Sequence, residues 1–306
     1  MKAVLFPGQG SQFIGMGSDF YKKFASVRKN FEIVDNTLGF PLSKIILNGP
    51  NDDLKLTQNT QPAIMLVGVC IFNVLNEQFN LNLNKNKFFA GHSLGEYTAL
   101  VCSGSLTLEN AAYLLHERGK AMQAAVPPGQ GLMIAVLGMT INEVEIELKQ
   151  LGSKEICEIA NDNCNGQVVV SGKSSSIQIL SQNLKNKKKK GILLPVSAPF
   201  HSSLMKKAAE HMKNKIENVN FLKPTPNIIS NVTARDEFDV NKIKPLLIDQ
   251  ITSRVRWKES IDYMIKEGID DFLEIGPGKV LSGLVKKISK KVKISNINSL
   301  EDITND

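Results

Sequence analysis

The sequence predicts an α/β protein with a mostly parallel sheet and a smaller inserted unit. Two observations carry this. Over residues 1–128 short apolar runs alternate with helix-like stretches, the pattern of a parallel sheet covered by helices. Over 129–198 the order changes to β-α-β-β-α-β, a ferredoxin-like arrangement. The first pattern resumes over 199–306.

Taken in order, "KAVLF" near the N-terminus reads as a strand, followed by a glycine-rich loop and a helical stretch to about Leu38. Thr60-Gln61-Pro62 reads as a helix start, with a cap residue and an early proline, and the apolar segment Ala63 to Leu75 continues it. Phe88, Phe89 and Ala90 end a second strand, and a helix begins at Glu96. Thr107 opens another helix with Glu109 in its first turn. Pro127-Pro128-Gly129 breaks the chain. In the inserted unit "GLMIAVLG", "EICEIA", "QVVVSG" and "GILLPVS" are strands, with helices over Ile141–Leu151 and Ser174–Leu184. Beyond Pro199 the larger unit ends in "DFLEIGPGKVLSGLVKKI", a further strand–turn–helix. The one low-complexity element is the lysine run from Lys185 to Lys190.

Composition narrows the class. Hydrophobic residues make up 42% of the 306 and charged residues 22%, as in ordinary globular proteins. No apolar run reaches the length of a membrane span, and no signal-peptide pattern precedes the first strand. A cytoplasmic protein is expected. Lys and Arg number 37 against 30 Asp and Glu, a net charge of +7 that suits an acidic partner or polyanionic ligand. No basic stripe interleaved with aromatics points to nucleic acid. Cys70, Cys102, Cys157 and Cys164 lack C-x-x-C spacing, so they read as packing, not as a zinc site or disulfide framework.

The most informative stretch is Gly91-His92-Ser93-Leu94-Gly95, between a buried strand and a helix. Glycine two places either side of a serine is the signature of a nucleophile elbow, which lifts the hydroxyl above the end of a sheet. Tight strand–helix packing alone would also account for the glycines. A nucleophilic serine needs a base, and four histidines are available. His92 adjoins Ser93 and reads as structural. His116 lies on a helix face without other signs of chemistry, and His211 on a solvated helix. His201 follows a strand and precedes a helix, a loop position where catalytic groups of α/β folds collect. Elimination favours His201. No acid has a clear claim as third member; Asp249 and Asp236 stand in no telling context, and a carbonyl can also fix the ring's tautomer.

On the helix from Thr107, Leu108, Ala111, Leu115, Met122 and Ala125 form the buried stripe, and Arg118 falls on it. A buried arginine must find an anion. An internal salt bridge, a packed stem with its head in water, and a ligand carboxylate held by the guanidinium fork all satisfy this. The loop Gly8-Gln9-Gly10-Ser11-Gln12 is no dinucleotide fingerprint, because Phe13 stands where the third glycine belongs. Its backbone N–H groups can still face the elbow. Acyl transfer needs two such donors, of which the residue after the serine, Leu94, is normally one.

"FPGQGSQ", "TQPA", "GHSLGE", "ERG", "NGQVVVSG", "PFHS" and "EIGPGKVL" occur in this order across nearly the whole chain. In these stretches the sequence resembles the malonyl-CoA:acyl carrier protein transacylases of bacterial-type fatty acid synthesis. The resemblance implies a hydrolase-like α/β domain (1–128 and 199–306) with an inserted ferredoxin-like domain (129–198). It implies Ser93 as nucleophile, His201 as base, and Gln12 and Leu94 as backbone oxyanion donors. It implies a substrate-binding set of Arg118, Asn163 and Gln250, with Arg118 on the malonyl carboxylate and a Gln250 backbone carbonyl orienting the histidine. Phe200 resembles the residue of acyltransferases that select malonyl over methylmalonyl groups. One departure is Asn165, where the family commonly has proline. The implied reaction is ping-pong transfer of malonyl from coenzyme A to the phosphopantetheine thiol of acyl carrier protein. The implied partners are malonyl-CoA and an acidic carrier protein; the implied state is a monomer, with no metal and no cofactor. The lysine run Lys187–Lys190 directly precedes the strand that leads to His201 and is a candidate for docking the carrier, while a solvated loop between helix and strand accounts for it equally. A serine esterase or thioesterase on the same elbow, and a non-enzymatic scaffold, are the competing classes.

Overall fold

The architecture follows from where the apolar runs lie. The computed structural model describes residues 1–152, 156–196 and 198–303. Among them ten strands are found: β1 Lys2–Phe6, β2 Phe88–Gly91, β3 Gly131–Leu137, β4 Cys157–Cys164, β5 Gln167–Lys173, β6 Lys190–Leu193, β7 Asn227–Ile229, β8 Asp236–Glu237, β9 Asp271–Ile275 and β10 Lys293–Ile297. They form two sheets, ordered β10-β9-β1-β2-β7-β8 and β4-β5-β3-β6. In the first, β1, β2, β7, β9 and β10 are parallel, and β8 is an antiparallel edge. The chain is therefore mixed α/β with a parallel-sheet core, as predicted. The central strands β1 and β2 are apolar without alternation because helices cover both faces. In the register of β1 on β2, Phe6 lies opposite Gly91, so both strands end at the same level. All pairings of the second sheet are antiparallel.

Three details depart from the sequence reading. The helix expected from Thr60 runs Thr57–Gln78, with Pro62 inside it. A proline there removes the N–H that would bond the carbonyl of Gln58. His116 donates to that carbonyl from Nδ1 at 2.9 Å, which satisfies the orphan and gives this histidine a structural role. The strand expected over "GILLPVS" stops at Leu193, just before Pro195, which has no N–H for a ladder; Ser197 lies outside the described residues. Glu155, in "EICEIA", also lies outside them, and β4 begins at Cys157.

The helix from Thr107 holds. Thr107 caps Leu108–Ala124, its side chain accepting from Asn110 N–H, and Arg118 is buried on it at 1% exposure. Near the C-terminus Glu274 of β9 is fully buried and accepts from the N–H groups of Leu281 and Ser282, satisfying the start of the helix Val280–Ile288. Asn165-Gly166 forms the turn between β4 and β5, with Gly166 at φ 77°. Cys70, Cys102 and Cys164 are buried and unbridged. No described helix is long and apolar enough to cross a membrane.

Candidate active site

Strands β1, β2 and β7 end side by side, and their C-terminal extensions build one side of the site, the usual place for chemistry in a parallel α/β sheet. The elbow follows β2. A Cβ on Gly91 would lie 1.9 Å from the carbonyl of Gly95, and one on Gly95 would lie 2.3 Å from Phe6 O. Both positions therefore exclude every side chain, which answers why two glycines bracket the serine. Ser93 sits at φ 53° and His201 at φ 55°. Left-handed backbone at a non-glycine residue costs about 1–3 kcal/mol each, strain that collects at functional positions.

The elbow is clamped from β7. Asn231, just beyond that strand, accepts the Ser93 N–H through Oδ1 at 2.7 Å and donates from Nδ2 to Gly91 O at 2.7 Å. With the Ser93 N–H so engaged, the neighbouring Leu94 N–H has no acceptor among the described residues, and neither has that of Gln9. Both residues line a cavity of about 100 Å³ together with Gln61, His92, Ser93, Arg118, Met122, Asn161, Phe200 and His201.

Ser93 Oγ lies 2.8 Å from His201 Nε2, and His201 Nδ1 lies 2.8 Å from the backbone carbonyl of Gln250. A carbonyl only accepts, so Nδ1 carries the proton and Nε2 presents its lone pair to the serine hydroxyl. Gln250 is the last residue of the helix Val240–Gln250, whose terminal carbonyls have no partner within the helix. A helix end thus stands where a triad acid would. Asp236 is engaged elsewhere, by Asn227 and Tyr263. Burial, followed by the charge of Arg118, holds the His201 pKa down to about 3. The imidazole is neutral near neutral pH, the form that accepts a proton.

Arg118 reaches the same hydroxyl. Its Nη2 lies 3.2 Å from Ser93 Oγ and 2.8 Å from Gln250 Oε1, and its Nη1 2.7 Å from Gln61 Oε1. All three partners are neutral, and its buried Nε–H has no acceptor among the described residues. A desolvated guanidinium with an unused donor beside a nucleophile is a ready receptor for a carboxylate.

The structure moves three of the expected residues. Gln12 is not on the cavity wall. The loop after β1 turns at Gly10 (φ 104°), and Gln12 Oε1 accepts the Gly10 N–H at 2.8 Å. Gln9, before the turn, faces the cavity instead. Asn163 is likewise off the wall: regular alternation would give it the face of Asn161, but β4 shifts register against β5 between Asp162 and Cys164, and Asn163 meets His92, whose Nε2–H donates to its Oδ1 at 2.9 Å. Asn161, two residues earlier, lines the cavity. Gln250 lies beneath the cavity, bonded to Arg118 and Ser93, so it braces the site and does not form its wall. His92 packs its ring 5.5 Å from Trp257, in keeping with a structural part. The reading also missed Glu96 and Asn231. An acid three residues after the serine, in the otherwise uncharged helix Gly95–Cys102, was a signal for the first; Asn231 had none. A larger open groove of about 850 Å³, bordered by Lys173, Lys206 and Lys207, contains no histidine.

Comparison with known proteins agrees with this geometry. Residues 4–303 match the family model described as acyl transferase domain. The malonyl CoA-acyl carrier protein transacylase of Bacillus subtilis is 42% identical over 98% of this chain and 94% of its own length. The crystal structure of the acyl-carrier-protein-S-malonyltransferase of Bartonella henselae has a TM-score of 0.94 at 43% identity, covering 99% of this chain and 97% of that one. A malonyl-transacylase solved in complex with its type II PKS acyl-carrier protein has a TM-score of 0.95 at 34% identity, covering 99% and 98%. Matches of this length and identity, on a serine–histidine pair with a buried arginine, place the chain in the acyl transferase family, among the malonyl CoA-acyl carrier protein transacylases.

Proposed function

We propose that the protein transfers malonyl from coenzyme A to the phosphopantetheine thiol of an acyl carrier protein through a malonyl-Ser93 ester. The observation that carries this is one hydroxyl meeting both a neutral imidazole at 2.8 Å and a guanidinium at 3.2 Å. Ser93 Oγ attacks the thioester carbonyl while His201 Nε2 takes its proton. The N–H groups of Gln9 and Leu94 stabilise the developing oxyanion. The intermediate collapses, the C–S bond breaks, and the departing thiolate takes the proton back from His201. The carrier thiol then gives its proton to His201 and attacks the ester, and Ser93 is restored. Arg118 holds the malonyl carboxylate throughout, and Phe200 limits the space around the acyl group. Asn163 and Gln250 position His92 and the His201–Arg118 pair. Every group comes from one chain, so a monomer is competent, and the resemblance to enzymes of fatty acid synthesis favours the cytoplasm.

Residues 129–198 form an inserted ferredoxin-like unit in this reading, and 1–128 with 199–306 the hydrolase-like unit. The support is the βαββαβ element order and the sheet order β4-β5-β3-β6. The test of function is the intact mass after brief exposure to malonyl-CoA, with peptide mapping, followed by addition of holo carrier protein. One malonyl group on the peptide containing Ser93, discharged by the carrier thiol, is expected. Discharge to water at the same rate with and without carrier would instead mark a hydrolase.

Carrier docking falls to the end of the lysine run. Lys187 is occupied, its Nζ 2.7 Å from Glu147 Oε1, while Lys188, Lys189 and Lys190 are exposed. Reversing these three charges is expected to raise the KM for carrier protein at low salt and leave that for malonyl-CoA unchanged, because exposed charges act mainly on association. Lys187→Glu is expected to lower thermal stability instead. Steady-state kinetics at two salt concentrations check this; equal changes for both substrates would remove the docking role.

A further inference from the structure

Glu96 is fully desolvated, at 1% exposure, in the first turn of the helix after the elbow. Isolated buried carboxylates are costly, so the side chain requires a reason to be there. Its Oε2 accepts from Gln250 Nε2 at 2.7 Å and from Asn231 N–H at 3.1 Å. These are the two residues that brace the site. Asn231 clamps the elbow through Ser93 N–H and Gly91 O. Gln250 orients His201 with its backbone carbonyl and Arg118 with its side-chain Oε1.

We propose that Glu96 is a positioning residue for malonyl recognition: it fixes which way the Gln250 amide faces, and so where the Arg118 guanidinium points. The Gln250 side chain lies between Arg118 on one side and Glu96 on the other. An amide turned by 180° is nearly the same shape, so packing alone does not choose between the two orientations. The acceptor does. With Glu96 and Ser93 O taking the two N–H groups of Nε2, Oε1 is left to face the cation. Without Glu96 the amide gains nothing from this orientation on that side, and its turned form sets an N–H₂ against the guanidinium. Arg118 then loses the bond that holds Nη2 beside Ser93. The same carboxylate balances the Arg118 charge through the amide while no substrate is bound, which lets an arginine with only neutral direct partners stay buried.

This inference rests on the proposed roles of Ser93 and Arg118. The experiment is a double-mutant cycle read by the ratio of malonyl to acetyl transfer, using Glu96→Ala, Glu96→Gln, Gln250→Ala and the double variant Glu96→Ala with Gln250→Ala. Folding is verified by thermal melts. Glu96→Ala is expected to lower the ratio about 10- to 100-fold, in the range of couplings between residues of one network. Glu96→Gln keeps an acceptor and is expected to recover most of that loss. In the Gln250→Ala background, removing Glu96 is expected to change the ratio less than about threefold, because its route to Arg118 is already gone. A full additional loss in that background, or equal losses of malonyl and acetyl transfer unrescued by glutamine, would overturn the proposal. If Glu96→Ala does not fold, Glu96→Leu, which fills the space but cannot accept a hydrogen bond, is read in the two backgrounds by the same criterion. Peptide mapping of the wild-type adduct tests the underlying site separately: an adduct away from Ser93 defeats that reading, whatever the cycle shows.

Discussion

Ser93→Ala is expected to abolish the covalent malonyl adduct and to reduce transfer to the carrier thiol by roughly 10⁴- to 10⁶-fold, the scale of nucleophile loss in serine enzymes. The substitution removes one oxygen and little else. Alanine at φ 53° meets much the same steric cost as serine, and the bond from the residue's N–H to Asn231 belongs to the backbone. Arg118 and His201 each keep their contacts with Gln250. The fold and the binding cavity therefore survive, and only the attacking atom is lost. Cys70 and Cys102 do not substitute for it: burial pushes the Cys70 thiol up to about 12 and the Cys102 thiol well above its usual range, so neither offers a thiolate near neutral pH. Intact-mass measurement on the folded variant checks this. An adduct of undiminished yield, or one mapped to a cysteine, would remove the mechanism.

Arg118→Ala is expected to collapse the preference for malonyl over acetyl. Losing one partner of a desolvated charge pair costs about 2–5 kcal/mol, or very roughly 30- to several-thousand-fold in kcat/KM. Acetyl-CoA has no carboxylate to lose, so its slower transfer falls much less. A second readout has a definite sign. With His201 as the proposed base, transfer is expected to fall as pH drops through its pKa. The Arg118 cation is one cause of that pKa lying near 3, behind burial. Its removal raises the pKa, and the acid limb of acetyl transfer is expected to move to higher pH. An arginine that merely holds its helix in place would instead leave a destabilised protein with both transfers reduced alike. Both rates measured across pH on a variant shown to be folded separate the cases, and an unchanged malonyl-to-acetyl ratio would take Arg118 out of the substrate site.

Much of the architecture was legible because it rests on local rules. The alternating apolar runs, the Thr107 cap and the glycines of the elbow each act within a few residues, and they place Ser93 at a strand end without reference to the rest of the chain. Arg118 was legible as an anomaly, a charge on an apolar stripe, though not its partners. Two of the misplaced residues, Gln12 and Asn163, share one cause. Gln12 and Gln9 lie in the same loop, and Asn163 and Asn161 on the same strand. Which member of each pair faces the cavity depends on one turn at Gly10 and on the register shift of β4 between Asp162 and Cys164, and both are settled by packing.

The sequence by itself determined the strand–elbow–helix, the position of a serine at its turn and the presence of a buried cation, because these follow from steric and burial requirements of neighbouring residues. Only the tertiary structure decided what surrounds them. The carbonyl that orients His201 belongs to Gln250, 49 residues away, and the clamp on Ser93 to Asn231, 138 residues away. Contacts across such separations exist only once β7 has paired with β2 and the helix Val240–Gln250 has ended against the elbow. A hydrogen bond needs its atoms within about 3 Å, and no local pattern records that distance.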